Sequence, residues 1–372
     1  MYLSNIRGML KSARQKPQLV SISALNLGHR LKHRYRIGHR NGWSHPPEVL
    51  SVFVTDRCNM RCKACHYAHS DKPGYQLNLV GDMELSIFQK MIDETPGNPI
   101  VSFTGGEPLL HPQIAEFIAY AKEAGRFCTL VTNGWVLSKN AAAICESGLD
   151  ILTVSLDGQE DTHDQIRGNR SFERLMAGVR LVLEQPLRPI VIVSMAISDM
   201  NYQELVPTYK LVKDLGVDGM NVNHLWIQPA EIVDSFNNQF HVFPADQVNW
   251  DVLPAAINTE SVADGLESIR KRNWGSKFLL SEAPYMNRDE ITAWYQNPGQ
   301  RVKYETVRCG WTRFKIWPDA KVKPCRDWEV GDLRQQKVME IWNGQEYRNF
   351  RKLLRKHKML PICNRCCQIA LR

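Results

Sequence analysis

Short runs rich in β-branched and aromatic residues alternate with helical patterns along residues 50–228. The short runs predict strands, and stretches with apolar residues three or four positions apart predict helices. The predicted strands are residues 50–55, 100–104, 127–131, 150–155, 190–196 and 219–225. The predicted helices are residues 84–94, 113–125, 138–148, 172–185 and 202–215, and Gly125, Gly148 and Gly216 stand where three of them should end.

Six βα units in succession predict parallel strands joined by right-handed crossovers. Such a sheet is either an open doubly wound sheet or a curved partial barrel, and the pattern alone leaves both open. In either fold, functional side chains belong at the C-terminal ends of the strands.

The remainder of the chain is less regular. Residues 229–304 are rich in aromatic residues, Asn and Pro, and a helix is predicted near residues 246–272. This segment is either a cover over the strand ends that shapes a substrate pocket or an ordinary connection. Residues 305–372 predict a small α+β unit with a hairpin over residues 314–324 and helical patterns over 338–342 and 347–357.

Composition narrows the class of protein. The 372 residues are 43% hydrophobic and 23% charged, as in ordinary globular proteins. The sequence has neither an apolar stretch of transmembrane length nor the apolar core of a secretory signal. Ten cysteines in such a chain indicate a reducing compartment, here the cytoplasm, and metal ligation instead of disulfides.

The net charge of +8 lies in the N-terminal arm, residues 1–48. Residues 1–50 contain nine Lys or Arg residues and a single acidic residue, Glu48. Three interpretations are open: a solvated extension packed on the barrel, an amphipathic segment on a membrane surface, and an arm for an anionic partner. No strong case for nucleic acid follows from this charge.

Three cysteines follow the first predicted strand directly, at Cys58, Cys62 and Cys65. Thiolates select iron–sulfur clusters, zinc or copper(I), and four are the usual complete set. Three local thiolates leave one coordination position open, which suits catalysis. The alternative is a zinc knuckle completed by His66 or His69.

Further candidate residues follow the next three strands. They are Gly105, Gly106 and Glu107 in TGGEP, Asn133 in TNG, Ser155 in SLDG, and Arg167 in HDQIRG. Each short motif alone also fits a turn or a helix cap. Their occurrence at consecutive strand ends behind the cysteine triad favours one shared site.

The CxxxCxxC spacing with GGEP and SLDG…HDxIRG resembles the radical S-adenosylmethionine (SAM) enzymes. The resemblance implies a partial (β/α)6 barrel with a small C-terminal α+β iron–sulfur domain, and a core over residues 49–228. It implies a 4Fe–4S cluster on Cys58, Cys62 and Cys65, whose fourth iron binds SAM. Glu107 would meet the SAM amino group, Ser155 and Arg167 its carboxylate, with Gly105, Gly106 and Asn133 beside them. Ala64 departs from the aromatic residue usual before the third cysteine, so adenine stacking is not assigned.

The last seventy residues resemble a shortened SPASM or twitch domain, which binds auxiliary 4Fe–4S clusters. Cys309, Cys325, Cys363 and Cys366 would hold one such cluster with closed coordination. A zinc ribbon on the same four cysteines is the alternative. Cys367 is left over as another ligand, an inert residue or a thiol that donates hydrogen to a substrate radical. Cys128 and Cys145 are expected in the core.

The resemblance thus implies an oxidoreductase that cleaves SAM reductively to a 5′-deoxyadenosyl radical and takes hydrogen from a substrate. The expected substrate is a peptide or protein that is modified oxidatively. The alternatives are a sugar, aminocyclitol or lipid substrate, or a zinc-binding module without catalysis. A flavodoxin- or ferredoxin-like reductant is the expected partner, and residues 1–48 leave membrane association open.

Overall fold

The computed structural model describes residues 41–63, 65, 80–225, 230–240, 257–297, 299, 306–307, 309–325, 328–366 and 369–370. Predictions for residues 1–40, for His66 and His69 and for Cys367 concern parts of the chain outside these ranges. Within the described residues, no helix has both the length and the apolarity to cross a membrane.

A ten-stranded sheet forms the centre of the fold, in the order β11-β10-β9-β1-β2-β3-β4-β5-β6-β7. Strands β1 to β7 run parallel in sequence order, and β9 joins β1 in parallel. The strands are β1 (Val49–Thr55), β2 (Ile100–Gly105), β3 (Cys128–Thr132), β4 (Ile151–Ser155), β5 (Ile190–Ile197), β6 (Gly219–His224), β7 (Leu279–Ala283), β8 (Thr306–Val307), β9 (Arg313–Ile316), β10 (Lys321–Val322), β11 (Gly331–Asp332) and β12 (Ile369–Ala370).

The six predicted strands are confirmed, and the sheet contains a seventh parallel strand that the sequence pattern did not reveal. Strand β7 lies in the segment 229–304 and pairs with β6. The α/β class with successive parallel strands and a C-terminal addition is confirmed, and that segment contributes to the sheet itself.

The helices are α1 (Leu85–Glu94), α2 (Ile114–Glu123), α3 (Leu137–Glu146), α4 (Glu160–Arg167), α5 (Ser171–Glu184), α6 (Leu205–Asp214), α7 (Ala230–Phe240), α8 (Thr259–Arg272), α9 (Arg288–Gln296), α10 (Cys309–Thr312), α11 (Val338–Trp342) and α12 (Gln345–His357). The helix predicted near 246–272 begins only at Thr259 within the described residues. Its start is fixed by Asn258, whose side chain accepts a hydrogen bond from the Ser261 amide at 3.0 Å. Helices α4, α7, α9 and α10 were not predicted.

The two faces of the sheet differ. In β6, Val222 lines a small cavity together with Leu266 and Ile269 of α8, so this face packs on the helices. Successive side chains of a strand lie on opposite faces of the sheet. The residues that alternate with the helix-facing ones, such as Asn221 and Ser194, are half-buried. We call this second face, away from the helices, the inner face of the sheet.

The predicted C-terminal hairpin is present as β9 and β10, paired antiparallel. Its first strand is hydrogen-bonded to the first strand of the barrel, with Leu50 opposite Phe314. The C-terminal unit is therefore continuous with the main sheet.

A buried arginine ties this unit together. The Arg351 guanidinium packs against the rings of both Trp342 and Tyr347, at 4.1 and 4.3 Å from their centroids. It donates hydrogen bonds to the carbonyls of Gly310, at 2.6 Å, and Gly42, at 3.1 Å. Burial lowers the pKa of Arg351 to about 10, so the side chain remains charged at neutral pH.

Replacing Arg351 by Ala should lower the free energy of unfolding by about 3 kcal/mol, because buried carbonyls lose their donors and the two rings lose a packed neighbour. Urea unfolding followed by fluorescence measures the change. Lys352→Ala, at an exposed position of the same helix, is the matched control. Equal urea concentrations at the unfolding midpoint of the two variants would contradict this role of Arg351.

Candidate functional site

The cysteine loop follows β1 and is anchored on both sides. Arg57 donates to Asp82 at 3.0 and 2.5 Å and to the Leu110 carbonyl at 3.0 Å. The Lys63 amide donates to the Ile166 carbonyl of α4 at 2.9 Å. Neighbouring strand ends therefore hold the loop over the edge of the sheet.

The three thiols are accessible within this loop. Cys58 is exposed and Cys62 and Cys65 are half-buried, and the Cys65 amide donates to the Cys62 carbonyl at 3.1 Å in a tight turn. Burial raises the pKa of Cys62 to about 11, against the opposing effect of the Arg167 guanidinium. A thiol with such a pKa stays protonated at neutral pH unless a metal stabilises the thiolate.

The cysteine loop offers the thiolate donors that iron–sulfur clusters take. No group of three or more His, Cys, Asp or Glu side chains among the described residues is placed to hold one metal ion. Zinc requires four ligand atoms within about 2.3 Å of one centre. A 4Fe–4S cluster takes each thiolate on a different iron, so its ligands stand farther apart.

Two glycines bring the end of β2 against the cysteine loop. The Gly106 amide donates to the Thr55 carbonyl and the Glu107 amide to the Arg57 carbonyl, each at 2.8 Å. A Cβ atom on Gly105 or on Gly106 would lie 2.3 Å from the Thr55 or the Arg57 carbonyl oxygen, respectively. Only glycine allows this close approach.

Glu107 is a buried carboxylate, 1% exposed, held by three donors. Its Oε1 accepts from Thr132 Oγ1 at 2.7 Å and from the Leu109 amide at 3.0 Å, and its Oε2 accepts from the Asn133 amide at 2.7 Å. Burial raises the pKa of Glu107 above its usual value, and these hydrogen bonds oppose the shift. A carboxylate has about four acceptor positions, so one position on Oε2 is left for a cation such as an ammonium group.

Asn133 links the end of β3 to the cysteine loop. Its Nδ2 donates to Asn59 Oδ1 at 2.9 Å and lies 3.9 Å from Cys58 Sγ. Its Oδ1 accepts from the Trp135 amide at 2.9 Å, which fixes the side-chain orientation. Glu107 and Asn133 thus lie next to the first cysteine.

Arg167, at the end of α4, lies next to the second cysteine. Its Nε donates to Asp157 Oδ2 at 2.6 Å, and its Nη1 lies 4.0 Å from Cys62 Sγ. Asp157 Oδ1 accepts from the Ala196 amide at 3.1 Å, so this carboxylate positions the guanidinium. Ser155 ends β4 opposite Ser194 on the inner face, and among the described residues no hydrogen bond joins its side chain to the cysteine loop.

The C-terminal cysteines form a second group. Cys309 and Cys363 are buried, and Cys325 and Cys366 are half-buried. Burial, followed by the nearby Cys325 and Cys309 side chains, raises the pKa of Cys363 well above its usual value. Cys128 and Cys145 are buried in the core, as predicted, and Cys367 is outside the described residues.

Sequence reasoning missed Arg365, which lies between two of these cysteines. The buried guanidinium donates to the carbonyls of Ala293, Trp294 and Asn297, at 2.9, 2.8 and 2.5 Å. These carbonyls are at the C-terminal end of α9, where a cation is favoured. The arginine between Cys363 and Cys366 was the available signal, but nothing in the sequence indicated its partners.

Comparison with known proteins gives two domain matches. The model of the Radical SAM superfamily matches residues 52–212. The SPASM iron–sulfur cluster-binding domain matches residues 308–367. These matches contain the two cysteine groups.

Individual relatives cover most of the chain. The AdoMet-dependent heme synthase of Methanosarcina barkeri is 32% identical over 330 residues, which is 86% of this chain and 88% of the relative. A tungsten-containing aldehyde ferredoxin oxidoreductase cofactor-modifying protein of Pyrococcus furiosus is 23% identical over 342 residues, 86% and 87% of the two chains.

Among solved structures, Streptococcus suis SuiB bound to the precursor peptide SuiA superposes with a TM-score of 0.60 at 13% identity. The match covers 92% of this chain and 71% of SuiB. At this identity the likeness concerns the fold alone.

Replacing Glu107 by Gln should weaken SAM binding about tenfold or more. The substitution removes the charge that would meet an ammonium group and sets an amide nitrogen or an uncharged oxygen where the Asn133 amide donates. Equilibrium dialysis of the iron-loaded protein with labelled SAM measures the affinity. Glu123→Gln, at an exposed position of α2, is the control, and unchanged SAM affinity in Glu107→Gln would refute the assignment.

Proposed function

The chain belongs to the radical SAM superfamily, and we propose that it oxidises a C–H centre of a peptide or protein. One observation carries the proposal: the hairpin of β9 and β10, which is flanked by Cys309 and Cys325, pairs through β9 with β1, and β1 leads into the cysteine triad. Both cysteine groups are thereby fixed to neighbouring strands. Such an arrangement suits a reaction that begins at one centre and loses an electron to the other.

The radical SAM and SPASM domains imply a 4Fe–4S cluster, an auxiliary cluster and SAM as cofactors. When bound, the first cluster and SAM supply a 5′-deoxyadenosyl radical that takes a hydrogen atom from the substrate. The share of the protein is to bind SAM and substrate in the orientation that exposes one C–H bond.

Cys58, Cys62 and Cys65 are assigned as ligands of the SAM-binding cluster. Their thiols are accessible and lie together in one tight loop, which suits shared metal ligation. Glu107, with one acceptor position left, is assigned to the SAM amino group. Ser155 and Arg167 are assigned to the SAM carboxylate. Support of the glycine-rich loop is assigned to Gly105, Gly106 and Asn133.

Cys309, Cys325, Cys363 and Cys366 are assigned to one auxiliary 4Fe–4S cluster. Four thiolates close the coordination, which suits electron transfer over substrate ligation. A flavodoxin- or ferredoxin-like protein is the proposed source of the first electron. A hydrogen-donating role for Cys367 stays a prediction.

A peptide substrate is supported by the inner face of β4 to β7. Its side chains are uncharged among the described residues, with Ser155, Ser194 and Asn223 at the C-terminal ends. Peptide amides are neutral and rich in hydrogen-bonding groups, so they suit such a wall. A tetrapyrrole is the second candidate, favoured by the 32% identity to the heme synthase.

Iron analysis separates the two cysteine groups. After anaerobic reconstitution we expect about eight irons per chain, falling to about four in the Cys58/Cys62/Cys65→Ala variant, since each cluster contains four. 5′-Deoxyadenosine formation from SAM and dithionite should be lost in that variant. A Cys309/Cys325/Cys363/Cys366→Ala variant should keep some nucleoside formation but lose oxidised product, monitored by mass spectrometry.

Cys145→Ala, in the core of the barrel, is the matched control for cysteine replacement and should retain all of the iron. If the natural protein contained only about four irons, and the triad variant none, the C-terminal cysteines would hold zinc instead of a cluster. That result would contradict the oxidative step. Absence of iron and of nucleoside in the natural protein would refute the enzyme assignment.

A further inference from the structure

A chain of hydrogen bonds crosses three strands on the inner face. Ser281 Oγ of β7 donates to Asn221 Oδ1 of β6 at 2.8 Å, and Asn221 Nδ2 donates to Asn223 Oδ1 at 3.0 Å. Asn223 Nδ2 then donates to Ser194 Oγ of β5 at 2.8 Å. We call Ser194, Asn221, Asn223 and Ser281 the polar ladder.

The polar ladder has donor hydrogens left over. Each asparagine amide nitrogen carries two hydrogens and uses one, and the Ser194 hydroxyl accepts but does not donate within the described residues. All four side chains are half-buried, so the remaining hydrogens are accessible from the inner face. An oxygen acceptor would therefore complete the network.

The surroundings restrict the acceptor to a neutral group. The ionisable side chains of β6 and β7, His224 and Glu282, are buried on the helix side, where Glu282 also pairs with Arg270 at 2.5 Å. A carboxylate at the polar ladder would lose water without gaining a counter-charge from the inner face of β4 to β7, which is unfavourable. A carbonyl oxygen has no such cost.

The position of the polar ladder suits a substrate. Two residues closer to the start of the strands, Gly219 of β6 pairs with Ile192 of β5 and Leu279 of β7. The Ile192 side chain covers Gly219, because a Cβ atom on Gly219 would lie 2.9 Å from Ile192 Cδ1. The polar ladder is therefore the first polar level above an apolar floor. It lies at the same ends of the strands as the cysteine loop.

We propose that the polar ladder is the specificity-determining subsite, and that it binds backbone carbonyl oxygens of a peptide substrate. This inference rests on the proposed function, because it assumes that the inner face receives the substrate. Ser194 and the two asparagines would donate the spare hydrogens, and Ser281 would hold Asn221 in position.

The test uses iron-loaded, SAM-bound protein on a solid support and a library of N-acetylated, C-amidated pentapeptides as the probe. Retained peptides are quantified by mass spectrometry for the natural protein and for Asn223→Leu, which is close in size and lacks the amide. Retention should fall about tenfold, because one or two hydrogen bonds to a neutral acceptor are lost. Ser194→Ala, a smaller change, should lower it severalfold.

Ser102→Ala, on the inner face of β2 away from the polar ladder, is the matched control and should retain peptides fully. SAM cleavage without peptide should be unchanged in Ser102→Ala. Equal retention by Asn223→Leu and the natural protein would overturn the proposal, as would preferential, asparagine-dependent binding of free haem. Peptide retention tests the subsite, and SAM cleavage tests the proposed function. Retention that depends on Asn223 would support the subsite even if the protein did not cleave SAM, so the two proposals can fail independently.

Discussion

Two backbone hydrogen bonds continue the pairing of β1 and β2 past the end of β2. Gly106 reaches the Thr55 carbonyl and Glu107 reaches the Arg57 carbonyl, so the cysteine loop begins in a fixed direction. Glu107 is in turn held by Thr132 and Asn133 of the neighbouring strand end. Asn133 then reaches back to the cysteine loop, which closes a ring of contacts among three strand ends. The position of the first cysteine depends on all of them.

Three arginines stabilise the surroundings of the two cysteine groups in different ways. Arg167 is paired with the carboxylate of Asp157, whereas Arg351 and Arg365 donate largely to backbone carbonyls. The carbonyls accept hydrogen bonds from these two guanidinium groups without adding a negative charge near the C-terminal cysteines. These residues therefore fix segments that have little regular secondary structure of their own.

Much of the barrel and of the site could be predicted from local pattern. The first five strands are runs rich in apolar and β-branched residues, and the cysteine and glycine motifs stand directly after β1 to β4. Strand β7 was missed because its sequence, LLSEA, carries Glu282 at a buried position, where the carboxylate is paired with Arg270 and His224. When the ion-pair partners of a buried polar residue are distant in sequence, the local sequence pattern is the same as that of a loop.

The long-range contacts could not be predicted for the same reason. The partners of Arg365 are about seventy residues away in sequence, and those of Arg351 include Gly42, 309 residues away. Spacing identifies a group of ligands, but it contains no information on the carbonyls that orient an arginine. The polar ladder similarly combines three strands whose registers are set only by folding.

The pairing of β9 with β1 has a consequence for the architecture of the chain. Because the C-terminal hairpin covers one side of β1, removing residues 305–372 would leave the hydrogen-bonding groups along that side of the strand unpaired. An exposed parallel edge of this kind recruits other strands and promotes aggregation. The iron–sulfur segment is thus also the cover of the barrel's open edge, and a barrel without it would expose the β1 edge.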